Sequence, residues 1–145
     1  MLGRRLAVVA VAAVAAGVMS SPAAFGALPT PVLGWKYAFK YGNGFGTVRP
    51  SLVYLGGDAT GEVKSIKWHG WGDGQLVGFG RGWCPGKSVA TGHPCAAKLQ
   101  ISDIGGCNGR RAYRRLQFFF RFRPHRPWRA EARYNICNGD YLGSG

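Results

Sequence analysis

Tyr113-Arg114-Arg115-Leu116-Gln117-Phe118-Phe119-Phe120-Arg121-Phe122 decides the fold. Its side chains alternate: Arg114, Leu116, Phe118, Phe120 and Phe122 fall on one face, and Tyr113, Arg115, Gln117, Phe119 and Arg121 on the other. Period-2 alternation of apolar and polar residues is the mark of a half-buried strand. Upstream, Gly105-Gly106-Cys107-Asn108-Gly109 reads as a turn, and Ala96 to Ile104 as the strand before it. Downstream, Arg123 to Trp128 is a Pro-Arg loop, and Ala130 to Cys137 is a last strand.

The same pattern repeats toward the N-terminus. Gln75 to Trp83 alternates, with Leu76, Gly78, Gly80 and Gly82 on one face and Val77, Phe79, Arg81 and Trp83 on the other. Strand glycines of this kind mark a close approach, by another sheet or by an aromatic ring. Glu62 to Trp68 and Leu52 to Leu55 are shorter strands, separated by the turns Gly56–Gly61 and Gly70–Gly74. Trp35, Tyr37, Phe39 and Tyr41 alternate with Lys36 and Lys40, which predicts an amphipathic strand over 35–41. Both ends of the domain are expected to be loose, the tail over residues 138–145 among them. Some seven short strands between Gly-rich turns predict an all-β antiparallel sandwich or small barrel.

Cysteine usage and the N-terminus bear on the compartment. Arg4-Arg5 precedes an unbroken apolar run from Leu6 to Met19, followed by Ala24-Phe25-Gly26. A basic start, a short apolar stretch and a small-residue cleavage site identify a secretory signal. The run is too short for the roughly 20 residues that span a bilayer. The expectation is a signal peptide over 1–26 and a single secreted domain over 27–145, with no membrane-spanning segment. Cys84, Cys95, Cys107 and Cys137 all fall in that domain and read as two disulfides. Three pairings are possible. Cys84–Cys95 with Cys107–Cys137 is the most economical, and each bridge is expected to contribute roughly 3–4 kcal/mol. No C-x₂-C pair favours zinc, and no cofactor motif appears.

A resemblance follows from these residues. Ser65-Ile66-Lys67-Trp68-x-x-Trp71-Gly72-x-Gly74 leads into Gly78-x-Gly80 and Cys84, and later into Cys107-x-Gly109 with Tyr113 and Leu116. This pattern, over roughly residues 49–122, resembles a group of small secreted actinobacterial proteins of unknown function. The resemblance implies a signal peptide, disulfides and a β fold, and it brings no catalytic residues. The chain departs from that group in its N-terminal aromatic segment and its arginine-rich end.

Charge gives the main functional indication. The chain has 19 Lys and Arg against 6 Asp and Glu, a formal +13. Loss of Arg4 and Arg5 with the leader lowers it to +11. Arg110, Arg111, Arg114, Arg115, Arg121, Arg123, Arg126, Arg129 and Arg133 crowd one segment, opposed by Glu131 alone. The guanidinium fork binds phosphate or carboxylate at two points, and aromatic rings beside it can stack on bases or sugars. Arg114, Arg115, Arg121, Arg123, Arg126 and Trp128 are therefore the candidate site for an anionic polymer such as nucleic acid, teichoic acid or acidic polysaccharide. The same arginines also flank Leu116–Phe120, an aggregation-prone window for which they would serve as gatekeepers. The 35/37/39/41 rings are a second candidate, as a flat platform for sugars. Catalytic sets are thin. His69, His93 and His125 stand in no ligand spacing, no two carboxylates are singled out as a glycosidase requires, and no G-x-S-x-G elbow occurs. His69 with Asp73 is the best hydrolase site on offer. A membrane-active competition factor would also suit basic charge with aromatics. The expectation is a non-enzymatic, secreted, basic protein.

Overall fold

The computed structural model describes residues 26–145, so the expected leader, apart from Gly26, lies outside the described residues. Eight strands run through them: β1 (Val32–Leu33), β2 (Leu52–Tyr54), β3 (Glu62–His69), β4 (Gln75–Cys84), β5 (His93–Cys107), β6 (Arg110–Arg121), β7 (Arg129–Asn135) and β8 (Tyr141–Ser144). Seven of them form one antiparallel meander in the order β2-β3-β4-β5-β6-β7-β8, and β1 adds to β6 in parallel. The end strands β2 and β8 do not pair with each other, so the curled sheet is a half-barrel. The all-β class holds. Of the two expected architectures, the single curled sheet is the barrel side, left open.

The long hairpin β5–β6 is the spine. Its two-residue connection, Asn108-Gly109, has φ of 48° and 77°. Positive φ at both central residues is the turn that matches strand twist, and Asn-Gly adopts it most readily. Along the hairpin Leu99 faces Phe118 and Ile101 faces Leu116, and all four point inward and are buried. Val53, Val63, Ile66, Leu76, Ala97, Phe120 and Ile136 complete this core, with Leu33 and Phe45 closing one end.

The glycine face of β4 does what its sequence predicts. A Cβ on Gly78 would lie 2.6 Å from Trp68 Cε3, and one on Gly82 would overlap the Phe120 ring. The rings of Trp68 and Phe120 occupy the space that side chains on β4 would need. Trp68 is anchored there by donating from Nε1 to Pro50 O at 2.7 Å, and Trp71 by donating to Pro31 O at 2.9 Å. Tyr113 packs edge-on against Trp71. Its hydroxyl donates to Asp73 O at 2.9 Å and accepts from Gly72 N–H at 2.8 Å, which pins the β3–β4 turn to β6. Burial raises the Tyr113 pKa above the usual phenol value, helped by the Asp73 charge and opposed by the Gly72 hydrogen bond.

Two expectations need correction. Residues 35–41 form no strand. Gly34 turns the chain at φ 55°, and Ala38 N–H bonds back to Trp35 O and Gly42 N–H to Phe39 O, so the segment folds into successive turns. Its rings part company: Phe39 packs on Phe45 and Tyr134, while Tyr37 and Tyr41 are 64% and 69% exposed. No flat platform results. The tail is ordered, too. Asn138, Gly139 (φ 84°) and Asp140 make a tight turn, in which Asn138 Oδ1 accepts from Asp140 N–H, and β8 returns antiparallel to β7.

Both disulfides match the most economical pairing. Cys84–Cys95 closes the β4–β5 connection, and Cys107–Cys137 ties the tip of the spine hairpin to the chain after β7. All four cysteines are thus consumed, which removes the zinc alternative. Among the described residues no helix is long and apolar enough to cross a membrane.

Candidate anion-binding face

The inner face of the sheet is apolar, so by alternation its charged residues stand on the outer face. Register sets them in rows. One row runs Lys67, Phe79, Lys98, Phe119 across β3 to β6. The next, one pleat repeat away, runs Lys64, Arg81, Ala96, Arg121. Neither row holds a carboxylate of its own, and Lys64, at the edge of the second, pairs with Glu62 at 2.8 Å.

Trp128, just before β7, folds over the first row. Its ring lies 6.0 Å from that of Phe79. Lys98 Nζ sits 4.0 Å above the Phe119 ring and 5.5 Å from that of Trp128. Arg121 lays its guanidinium 4.3 Å from the Trp128 centroid. Cations over ring faces in this way gain roughly 0.5–1 kcal/mol at exposed sites.

In the second row, Ala96 is small and leaves a gap between Arg81 and Arg121. The two arginines are two strands apart, about 10 Å at the backbone given a strand spacing of about 4.8 Å. A cleft of about 490 Å³ opens there, floored by Gly80, Cys95 and Ala96 and walled by Arg81, Arg121, Arg123 and His93, with Phe122 and the prolines 94 and 124 at its end. His93 Nε2 lies 3.2 Å from Phe122 O. Arg121 Nε is buried and has no hydrogen-bond partner among the described residues.

The six residues expected from sequence therefore divide. Arg121, Arg123 and Trp128 come together at this face. Arg126 is exposed in the adjoining loop, where its N–H bonds to Arg123 O at 3.3 Å. Arg114 and Arg115 stand at the other end of β6, where both engage Asp103. Arg114 Nη2 donates to Oδ1 at 2.6 Å, and Arg115 Nε lies 3.3 Å from Oδ2. The Arg114 hydrogen bond holds the Asp103 carboxyl below the ordinary value against the opposing effect of burial, and the charges of both arginines add to it. Other arginines of the segment are also engaged: Arg129 pairs with Glu131, Arg110 donates to Gly46 O, Arg111 to Pro29 O and Arg133 to Leu142 O.

Sequence reading missed Phe79, Arg81, Lys98 and His93 as partners. The signal was present in the alternation of β4, which puts Phe79 and Arg81 on the face opposite the glycines. Pairing the strands through the Asn108-Gly109 turn would have set Lys98 beside Phe119 and Ala96 beside Arg121.

His69 and Asp73 are not joined. The His69 ring stands edge-on to Phe79 at 5.9 Å, while the Asp73 carboxylate lies over Gly70. A smaller, apolar cavity of about 250 Å³ opens on the concave side, among Trp83, Phe118, Phe120, Phe122 and Tyr134. Its one carboxylate, Glu131, is paired to Arg129 at 3.1 Å, so it offers less chemistry than the arginine cleft. Comparison with protein families, curated proteins and solved structures finds no match to this chain.

Proposed function

We propose that this is a secreted, non-enzymatic protein that binds an anionic polymer at the cell surface or outside the cell, through the outer face of β4, β5 and β6. The observation that carries the reading is the state of Arg121. Its guanidinium is held against Trp128 by ring stacking, and unlike Arg114, Arg115 and Arg129 it has no carboxylate partner among the described residues. A cation fixed in place by packing, with hydrogen-bond donors unspent, is prepared for an incoming anion. Arg81 across the Ala96 gap and Arg123 at the lip supply the second and third charges. Export agrees with the two disulfides and with the leader expected at 1–26. It also agrees with the resemblance to small secreted actinobacterial proteins, which brings no site of its own.

The test is binding of the oxidised chain, residues 27–145, to linear polyphosphate, a glycerol-phosphate polymer and a neutral dextran. Binding to the two anionic polymers and not to dextran, lost in an Arg81→Gln/Arg121→Gln/Arg123→Gln variant that melts like wild type, is the expected result. Equal binding by wild type and variant would refute the site. Vesicle leakage with anionic lipid, unaffected by those substitutions, would favour a membrane-active protein instead.

A further inference from the structure

The arginine row is half of the pattern, and the aromatic row beside it is the other half. Phe79 is 40% exposed, although it lies mid-strand on the second-longest hairpin of the sheet. Phe119 and Trp128 are half-buried beside it, and the three rings form one surface over β4, β5 and β6. Burying such rings inside the half-barrel would stabilise the fold more than leaving them on its outer face. The core faces of β4 and β6 are already filled by Trp68, Phe118 and Phe120. Rings kept outside, beside Lys67, Lys98 and Arg121, are therefore a surface with a use.

Geometry narrows what that use is. Side chains two positions apart on a strand are about 6.7 Å apart. The ring row (Phe79, Phe119, with Trp128 above) is offset from the arginine row (Arg81, Arg121) by that one repeat, along two neighbouring outward positions of each strand. A ligand matching both rows carries negative charges along one edge and flat groups along the other, one short linker away. Single-stranded nucleic acid has this arrangement, with phosphates on one edge and bases on the other, joined through the sugar. Base-on-ring stacking with a basic groove following the backbone is the general physics of single-strand binding. In a duplex the bases are stacked on each other and cannot reach the rings. A polyphosphate or teichoic-type chain has no flat groups for the second row.

We infer that the anionic polymer is single-stranded nucleic acid, its phosphates received by Arg81, Arg121 and Arg123 and its bases stacked on Phe79, Phe119 and Trp128. This rests on the polyanion reading above and sharpens it. Lys98 stands within the ring row, between Phe79 and Phe119, and adds a cation beside the bases. No sequence preference follows, because every base has a π face.

The experiment compares, at fixed ionic strength, the affinity of the oxidised chain for four probes of equal length: an oligothymidylate, an abasic oligonucleotide with the same phosphates, a duplex, and a sulfated acidic polysaccharide. Fluorescence anisotropy of labelled probes gives the constants. The inference expects the oligothymidylate to bind tightest, with Phe79→Ala weakening it roughly 5- to 150-fold while leaving the abasic probe nearly unaffected, and with Trp128→Ala weakening both probes, the oligothymidylate more, because Trp128 also holds Arg121. Phe79 is exposed, so Phe79→Ala keeps the fold and its result stands even if Trp128→Ala loosens the β6–β7 loop. Equal affinity for oligothymidylate and abasic probe overturns the base-stacking inference and leaves polyanion binding intact. Tighter binding of duplex or polysaccharide also overturns it, and names the alternative. No binding to any of the four overturns both readings.

Discussion

Replacing Gly78 by alanine asks whether the glycine face of β4 exists to admit the Trp68 ring. The added methyl would lie 2.6 Å from Trp68 Cε3 and 2.8 Å from Ile66 Cγ2, well inside van der Waals contact. Trp68 cannot swing clear without breaking its 2.7 Å hydrogen bond to Pro50 O. Overpacking a fixed core costs roughly 1–3 kcal/mol. Against this, alanine restricts the unfolded chain and recovers roughly 0.5–1 kcal/mol. The net expectation is a loss of about 1–2 kcal/mol, or a fall in Tm of about 4–10 °C for a domain of this size. Gly106, on β5, is the internal control: its Cβ would meet nothing within 4 Å and its φ is not positive. There the same substitution should be neutral, or stabilising by up to about 1 kcal/mol. Thermal and denaturant unfolding of both variants, disulfides intact, gives the comparison. If Gly78→Ala and Gly106→Ala shift stability alike, the glycine stripe is not there to make room for rings, and the packing argument for β4 fails.

Further predictions follow from the hydrogen bonds, charges and crosslinks. Tyr113→Phe removes the hydroxyl that bridges Gly72 N–H and Asp73 O, and should cost roughly 1–3 kcal/mol in chemical denaturation. Because burial raises the Tyr113 pKa, the stability tied to its neutral phenol is complete below about pH 10. It is lost as pH climbs through the raised folded value, and the variant's alkaline unfolding should be flatter than wild type's. Asp103 has the opposite sign. Its lowered pKa gives stability that is present above about pH 3.9 and disappears as pH falls through the folded value. Asp103→Asn should therefore weaken the acid dependence, by no more than about 1 kcal/mol since the pair is exposed. Of the two disulfides, Cys107–Cys137 closes 30 residues and Cys84–Cys95 closes 11. Paired serine substitutions should cost about 4 and about 3 kcal/mol respectively, and the order of the two melting temperatures checks it.

Much of the sheet is legible in the chain because its strands carry their own period. The alternation of Leu116, Phe118 and Phe120 gives the inward face of β6, and the glycines of β4 announce rings that turn out to be Trp68 and Phe120. The segment 35–41 misleads because alternation alone does not make a strand. A strand needs an edge to pair with, and Gly34 directs the chain into local turns away from β6. The parallel pairing of β1 is two residues long, too short for any period to show. β8 depends on Cys137 and the Asn138–Asp140 turn, a tertiary tie followed by a local one. Pairing across the hairpin likewise decides the site. From sequence, Arg114, Arg115 and Arg121 are equivalent members of a basic run. In the fold, the Asp103 carboxylate pairs with the first two while Ala96 lies opposite the third, so the charge of the run is spent at one end of β6 and free at the other. The Ile66, Trp68, Trp71 and Gly72 positions that carry the resemblance are structural: two of them pack the core, Trp71 docks on Tyr113, and Gly72 donates its N–H to the Tyr113 hydroxyl.

The central claim, that Arg81, Arg121 and Arg123 form an anion site on the outer face, is tested most directly by salt dependence. Affinity for a linear polyphosphate is measured over a range of salt concentrations, for the wild-type domain and for the variant with all three arginines changed to glutamine. Each phosphate neutralised contributes roughly 0.7–0.9 to the slope of log affinity against log salt. The account predicts a steep wild-type slope, shallower by about 2 in the variant, with affinity lowered most at low salt. Identical slopes would mean that the phosphates are met elsewhere on a generally basic surface, and that the cleft between Arg81 and Arg121 is not the site.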